Sequence, residues 1–211
     1  MQNDLTLIFI TAGARPPNWV EFHAKQLAKL PYPIITMRDE EKLGEETIYK
    51  RLLEGARRAT TPFVAVVEDD VLYPLEHFNK FRPKADEFAY NQHRWALFTW
   101  GVPTYSWRNR VSNCSLIAPR ELLIETLEER FAKHPNGWPY VGEVGRWRID
   151  KRLEVTPRKL VEWHSTVAVI QINHDDASEE RQRAHWKDLG PMRAYDIPVW
   201  GRAEDLIKQF I

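Results

Sequence analysis

The sequence predicts an α/β fold, a single domain with a mostly parallel central sheet flanked by helices. Two observations predict it. Residues 5–10, 33–37 and 63–67 are short, nearly continuous apolar runs, the pattern of strands covered on both faces. Between them lie apolar residues at helical spacing: Val20, Ala24 and Leu27, then Ile48, Leu52, Ala56 and Ala59. A β-α-β-α-β order makes neighbouring strands parallel, because each helix carries the chain back to the same end of the sheet. A length of 211 residues suits one domain with a sizeable core.

The elements follow in order. The first run ends in Thr11-Ala12-Gly13-Ala14-Arg15-Pro16-Pro17, which breaks the strand. Asn18, with Glu21 three residues on, reads as an N-cap. The second run leads into Arg38-Asp39-Glu40-Glu41, and Thr60-Thr61-Pro62 closes the second helix. The third run ends in Glu68-Asp69-Asp70. Parallel sheets bind ligands at the carboxyl ends of their strands, so residues 11–15, 38–39 and 68–70 should gather there.

The second half is less regular. Strands are expected at 94–100, 111–118 and 165–172. Pro119 should open a helix running to about Ala132. Residues 134–147, with Gly137, Pro139, Gly142 and Gly145, read as a loop. Asp176 should start a helix ending near Gly190-Pro191, and a last helix should span about 203–210.

Composition excludes several classes. Thirty basic residues balance thirty acidic ones, so the chain lacks the long-range field of a strongly basic nucleic-acid binder. One cysteine, Cys114, rules out an internal disulfide framework and a Cys-rich zinc site. The N-terminal segment does not read as a signal peptide, and no run is long enough for a membrane helix, so a cytoplasmic protein with no membrane contact is expected. Charge is uneven locally. Residues 80–120 carry seven Lys/Arg against two acids, and residues 144–160 carry six against two. Eight of nine Trp lie after residue 90, which suggests a second half suited to stacking on sugars or bases.

The strongest chemical signal is Glu68-Asp69-Asp70. Adjacent carboxylates repel one another, and a divalent cation relieves that repulsion. Mg²⁺ or Mn²⁺ would take one or two of them and keep its other positions for phosphates and water. The plainer alternative is a solvated acidic strand end. His174, after the last clear strand, is either a further ligand or a cap for the next helix.

The stretch from Thr6 to about Phe78 resembles GT-A nucleotide-sugar glycosyltransferases, especially compact family 2-like members. The resemblance rests on the strand ending in Thr11-Ala12, the strand ending near Asp39, the helix with Gly55 and Ala59, Thr61-Pro62-Phe63-Val64, and the acidic triplet. It implies a hexosyltransferase with a GT-A, Rossmann-like domain, whose Asp-x-Asp motif holds a metal on the donor diphosphate. Glu68 takes the first slot where the family has Asp, which makes Asp70 the safer metal ligand, with Glu68 or Asp69 near the ribose. Thr11, Ala12 and Asp39 would line the nucleotide pocket and lean it towards a UDP-sugar, with Arg15 or Arg38 on phosphate. His174 would join the metal. Residues 1–80 would bind the donor and residues 90–211 the acceptor.

By the same resemblance Glu143, in Gly142-Glu143-Val144-Gly145, is the base for the acceptor hydroxyl, with Asp150 or Asp175 as rivals. The outcome would be inversion. The chain is also similar to small phage transferases that glycosylate hydroxymethylated cytosine in DNA, which makes DNA the leaning for the acceptor and a surface glycan or lipid-linked sugar the runner-up. No protein partner is implied. A metal-dependent phosphohydrolase or a non-catalytic sugar-binding protein would use the same features.

Overall fold

The computed structural model describes residues 4–11, 17–38, 46–98, 102–173 and 192–209. The first half matches the expected alternation: β1 (Leu5–Thr11), α1 (Pro17–Leu27), β2 (Ile34–Arg38), α2 (Glu46–Arg58) and β3 (Phe63–Glu68). All seven residues of β1 are buried. Ile8 and Ile10 enter a core shared with Leu52 and Ala56 of α2, while Leu5, Leu7 and Phe9 pack on the other face with Leu27 of α1. Two covered faces are why the run is apolar throughout rather than alternating. Helix α1 begins at Pro17, so Asn18 lies inside it rather than capping it. Proline suits a first helical position, because its fixed φ is already helical and its missing N–H would have no partner there.

After β3 the chain departs from the simple pattern. Asp69 and Asp70 form a two-residue turn into β4 (Val71–Leu72), followed by α3 (Leu75–Asn79), β5 (Glu87–Asn91), β6 (Arg94–Phe98) and β7 (Thr104–Trp107). A short 3₁₀ turn at Asn113–Ser115 leads into β8 (Leu116–Pro119), α4 (Arg120–Lys133), α5 (Trp147–Arg152), β9 (Lys159–Trp163) and β10 (Val169–Asn173). The end of the chain adds β11 (Arg193–Ala194), β12 (Asp196–Ile197), β13 (Gly201–Arg202) and α6 (Ala203–Ile207). Pro119 closes β8 and stands just before α4, one residue earlier than its expected place inside the helix. The helix expected from Asp176 to Gly190 lies outside the described residues.

The sheets are mixed. The six-stranded sheet runs β2-β1-β3-β8-β5-β9. Strands β1, β2 and β3 pair in parallel, as do β5 and β9, but β8 is antiparallel to both of its neighbours. The expectation of a mostly parallel sheet extrapolated the first half, where helices connect the strands. A turn rather than a helix leads into β8, so nothing returns that strand to the starting end. A second sheet, β11-β7-β6-β10-β4, is built from the strands the turn at 69–70 and the later loops supply.

Candidate active site at the strand carboxyl ends

The parallel register of β1 and β3 sets Ile10 beside Glu68, so Thr11 and the acidic triplet emerge at one end of the sheet. Thr11 Oγ1 donates a 2.7 Å hydrogen bond to Asp69 Oδ2, and both residues are buried. Asp69 is therefore fixed by the first strand rather than spread into solvent. The Glu68 backbone N–H donates to Tyr73 Oη (3.2 Å), whose own O–H donates to the Cys114 carbonyl (2.9 Å). The Asp70 carbonyl accepts from the Ile172 N–H at 2.7 Å, continuing the β4–β10 pairing of Gln171 with Val71. That pairing brings the end of β10, and with it Asn173, to the acidic turn.

A positive charge is buried nearby. The Arg94 side chain donates to Arg110 O (3.0 Å) and to the Gln171 amide oxygen, and the residue is 1% exposed. Burial pushes the Cys114 thiol up to about 12, Arg94 opposes the rise, and Glu68 and Asp70 add to it. One thiol thus feels the guanidinium and two carboxylates of the strand end together. No sequence pattern marks Arg94 for this position; its partners come from β10 and from the loop after β7.

Glu143 lies in the loop between α4 and α5. Its side chain is 19% exposed, and Oε2 pairs with Arg146 Nη1 at 2.8 Å. The loop is shaped by its glycines. A Cβ on Gly142 would lie 2.7 Å from the Ile149 side chain, and Gly145 holds φ at +76° against Phe88. Arg130 secures the loop from below, donating to Gly142 O (2.9 Å), Glu143 O (3.3 Å) and Asp150 Oδ1 (2.7 Å). Asp150 is wholly buried in that pair, and Asp175 lies outside the described residues.

Tyr49 of α2 packs on Trp138 and reaches the 3₁₀ turn before β8. Its hydroxyl accepts from Asn113 Nδ2 at 2.9 Å. Burial raises its pKa above the ordinary phenol value, and Glu143 and Glu68 both add to the rise. The Tyr49 ring packs on Trp138, the Arg130 guanidinium lies over that indole, and Arg130 holds the Glu143 backbone, so contacts run from the Asn113 turn through Tyr49 to the Glu143 loop. Sequence reasoning missed Tyr49, because one tyrosine on the apolar face of a helix looks like core.

Ala12, Arg15, Asp39 and His174 lie outside the described residues. Among the described residues no group of three or more His, Cys, Asp and Glu side chains converges as a metal site. The donor set at 68–70 is nevertheless all hard carboxylate oxygen, and Mg²⁺ or Mn²⁺ uses only one or two such ligands beside phosphates and water. The set fits such a cation in that limited sense.

Two expectations about the second half change. Trp19, Trp138 and Trp163 are buried, and Trp95, Trp107 and Trp200 are half-buried. Trp138 packs between the Tyr49 ring (4.9 Å) and the Arg130 guanidinium (5.4 Å). Only Trp147, 59% exposed, stands out among the described tryptophans. Some of the basic residues are paired with acids distant in sequence. Arg82 pairs with Asp4, Arg158 with Glu125 and Lys159 with Asp86.

No protein-family model matches the sequence, and no curated protein does. The chain is similar in structure to a glycosyltransferase involved in the glycosylation of the major capsid of PBCV-1, with a TM-score of 0.50 over 87% of this chain and 99% of that one. Identity between the two is 9%, so the likeness is one of fold. No helix among the described residues is long and apolar enough to cross a membrane.

Proposed function

We propose that the protein is a metal-dependent glycosyltransferase that moves a sugar from a UDP-sugar to an acceptor hydroxyl with inversion. The observation that carries this reading is the buried Thr11–Asp69 hydrogen bond, which holds the acidic turn at the carboxyl ends of the parallel strands, where a donor would bind. The glycosyltransferase fold supports it.

In this reading Thr11, Asp69 and Glu68 contact the nucleotide, as Ala12, Arg15 and Asp39 would from the adjoining strand ends. Asp70, with His174, would hold Mn²⁺ or Mg²⁺, which when bound neutralises the leaving diphosphate. Arg146 engages Oε2 of Glu143. Oε1 then accepts the proton of the acceptor hydroxyl as its oxygen bonds to the anomeric carbon and the bond to the diphosphate oxygen breaks. Arg130 orients this base through the backbone of residues 142 and 143.

The test incubates the protein with Mn²⁺ and a panel of nucleotide sugars, with glycans and with DNA containing hydroxymethylcytosine as acceptors. Transfer is expected from the wild type. Asp70→Ala should abolish it, and Glu143→Gln should remove transfer while sparing donor binding. Release of free sugar alone marks a hydrolase, binding without turnover marks a sugar-binding protein, and either result refutes the proposal. Transfer by Asp70→Ala with the metal chelated refutes the metal's role.

A further inference from the structure

Helix α5 has two unlike sides. Ile149 and Asp150 face inward, Asp150 into its pair with Arg130. Trp147, Arg148, Lys151 and Arg152 face outward and are all exposed. The Lys151 ammonium lies 5.1 Å from the centre of the Trp147 ring, and the Arg152 guanidinium 4.7 Å from that of Tyr140. Tyr140 is itself 46% exposed. Two large rings left in water on one short stretch are unusual for a protein that buries its other described tryptophans wholly or in part.

The charge on this face is uncompensated. Arg146 is paired with Glu143, and Arg158 and Lys159 have their own acids. Among the described residues no carboxylate pairs with Arg148, Lys151 or Arg152. The face joins the candidate site directly, since Ile149 packs on Gly142 and Arg146 reaches Glu143.

We propose that this face of α5, with Tyr140, binds an acidic oligosaccharide, the acceptor chain of the transfer reaction. The inference rests on the transferase reading above. The chemistry asked of the ligand is twofold: apolar ring faces to lie on Trp147 and Tyr140, and anions spaced to meet three cations. A uronate-bearing saccharide supplies both, a C–H face and one carboxylate per acidic ring. A nucleic-acid duplex fits less well. It carries about one charge per 1.7 Å. That count covers both strands, whose bases are stacked inside and offer no open ring face to Trp147 and Tyr140, and the chain's net charge of zero supplies no wider field to attract so dense a polyanion.

The experiment is titration calorimetry of the full chain at low salt. The probes are galacturonate and glucuronate-containing trisaccharides, neutral maltotriose and a single-stranded oligothymidylate. An acidic trisaccharide should bind at least tenfold more tightly than maltotriose. Trp147→Ala should weaken it at least tenfold. Lys151→Ala with Arg152→Ala should weaken it similarly and flatten its salt dependence. Absence of binding, equal binding of maltotriose, or an oligothymidylate that binds as tightly as the acidic sugars overturns the proposal. UDP binding with Mn²⁺ is read on the same samples. The α5 variants should keep it; a wild type that binds the acidic trisaccharide but no UDP faults the transferase reading and leaves the surface standing.

Discussion

Arg130 and Asp150 form a 2.7 Å ion pair in which neither side chain is exposed, and the same guanidinium holds the backbone of Gly142 and Glu143. A buried pair is a poor source of net stability, because desolvation offsets much of the attraction. Its value here is positional: the two terminal nitrogens of a rigid fork tie α4, α5 and the Glu143 loop together.

That arrangement predicts an asymmetry. Arg130→Met should destabilise the protein by about 3–5 kcal/mol, because Asp150 is left buried without its charge partner. Arg130→Met combined with Asp150→Leu should recover much of that loss. Chemical denaturation of the single and double variants checks it, and a double variant no more stable than Arg130→Met would contradict it.

Thr11→Val should cost about 1.5–3 kcal/mol, the range for a hydrogen bond to a charged group. Thr11→Ser keeps the donor and should cost less. Urea unfolding of the two variants provides the comparison; equal losses would mean that methyl packing, not the bond to Asp69, matters at this position.

His77 predicts a pH dependence. It is fully buried, stacks on Trp163, and burial lowers its pKa to about 3, with Arg82 adding to the drop. Asn91 Nδ2 lies 3.1 Å from His77 Nδ1 and can donate only to an unprotonated nitrogen. The fold therefore keeps His77 neutral. An unfolded His protonates near pH 6.5, so below that value the unfolded state binds a proton the native state does not. Stability from this group is complete above pH 6.5 and declines as pH falls towards 3. Between pH 6.5 and 5 the slope should approach roughly 1 kcal/mol per unit. His77→Gln should flatten it, as seen in denaturation midpoints across that window.

Cys114 is 0% exposed, and burial pushes its thiol up to about 12. A thiol-reactive dye at pH 8 should leave the native protein unlabelled and react only when denaturant opens the core. Rapid labelling without denaturant would show that the β8 region opens readily in solution.

Much of the first half was legible from local pattern. Continuous apolar runs at 5–10 and 63–67 became β1 and β3, because each has helices packed on both faces. The second half was harder for an identifiable reason. Strands β5, β7 and β9 mix polar and aromatic residues, and β9 is a sheet edge whose exposed Lys159 and Glu162 mask its period. For the site, sequence order alone put Thr11 and residues 68–70 at one end of the sheet, since parallel strands with helical crossovers leave no other arrangement.

What the sequence determined by itself was the α/β alternation and the carboxylate-rich end of the third strand, both consequences of neighbours in the chain. The tertiary structure decided which residues share that end. It buried Asp150 against Arg130, buried six of the seven described tryptophans wholly or in part, and paired Arg82 with Asp4 and Arg158 with Glu125. The ion pairs among them join residues up to 78 apart, brought together by strand crossing and helix packing. Charge counts and residue spacing along the chain carry no record of such pairs, because an ion pair is set by distance in space.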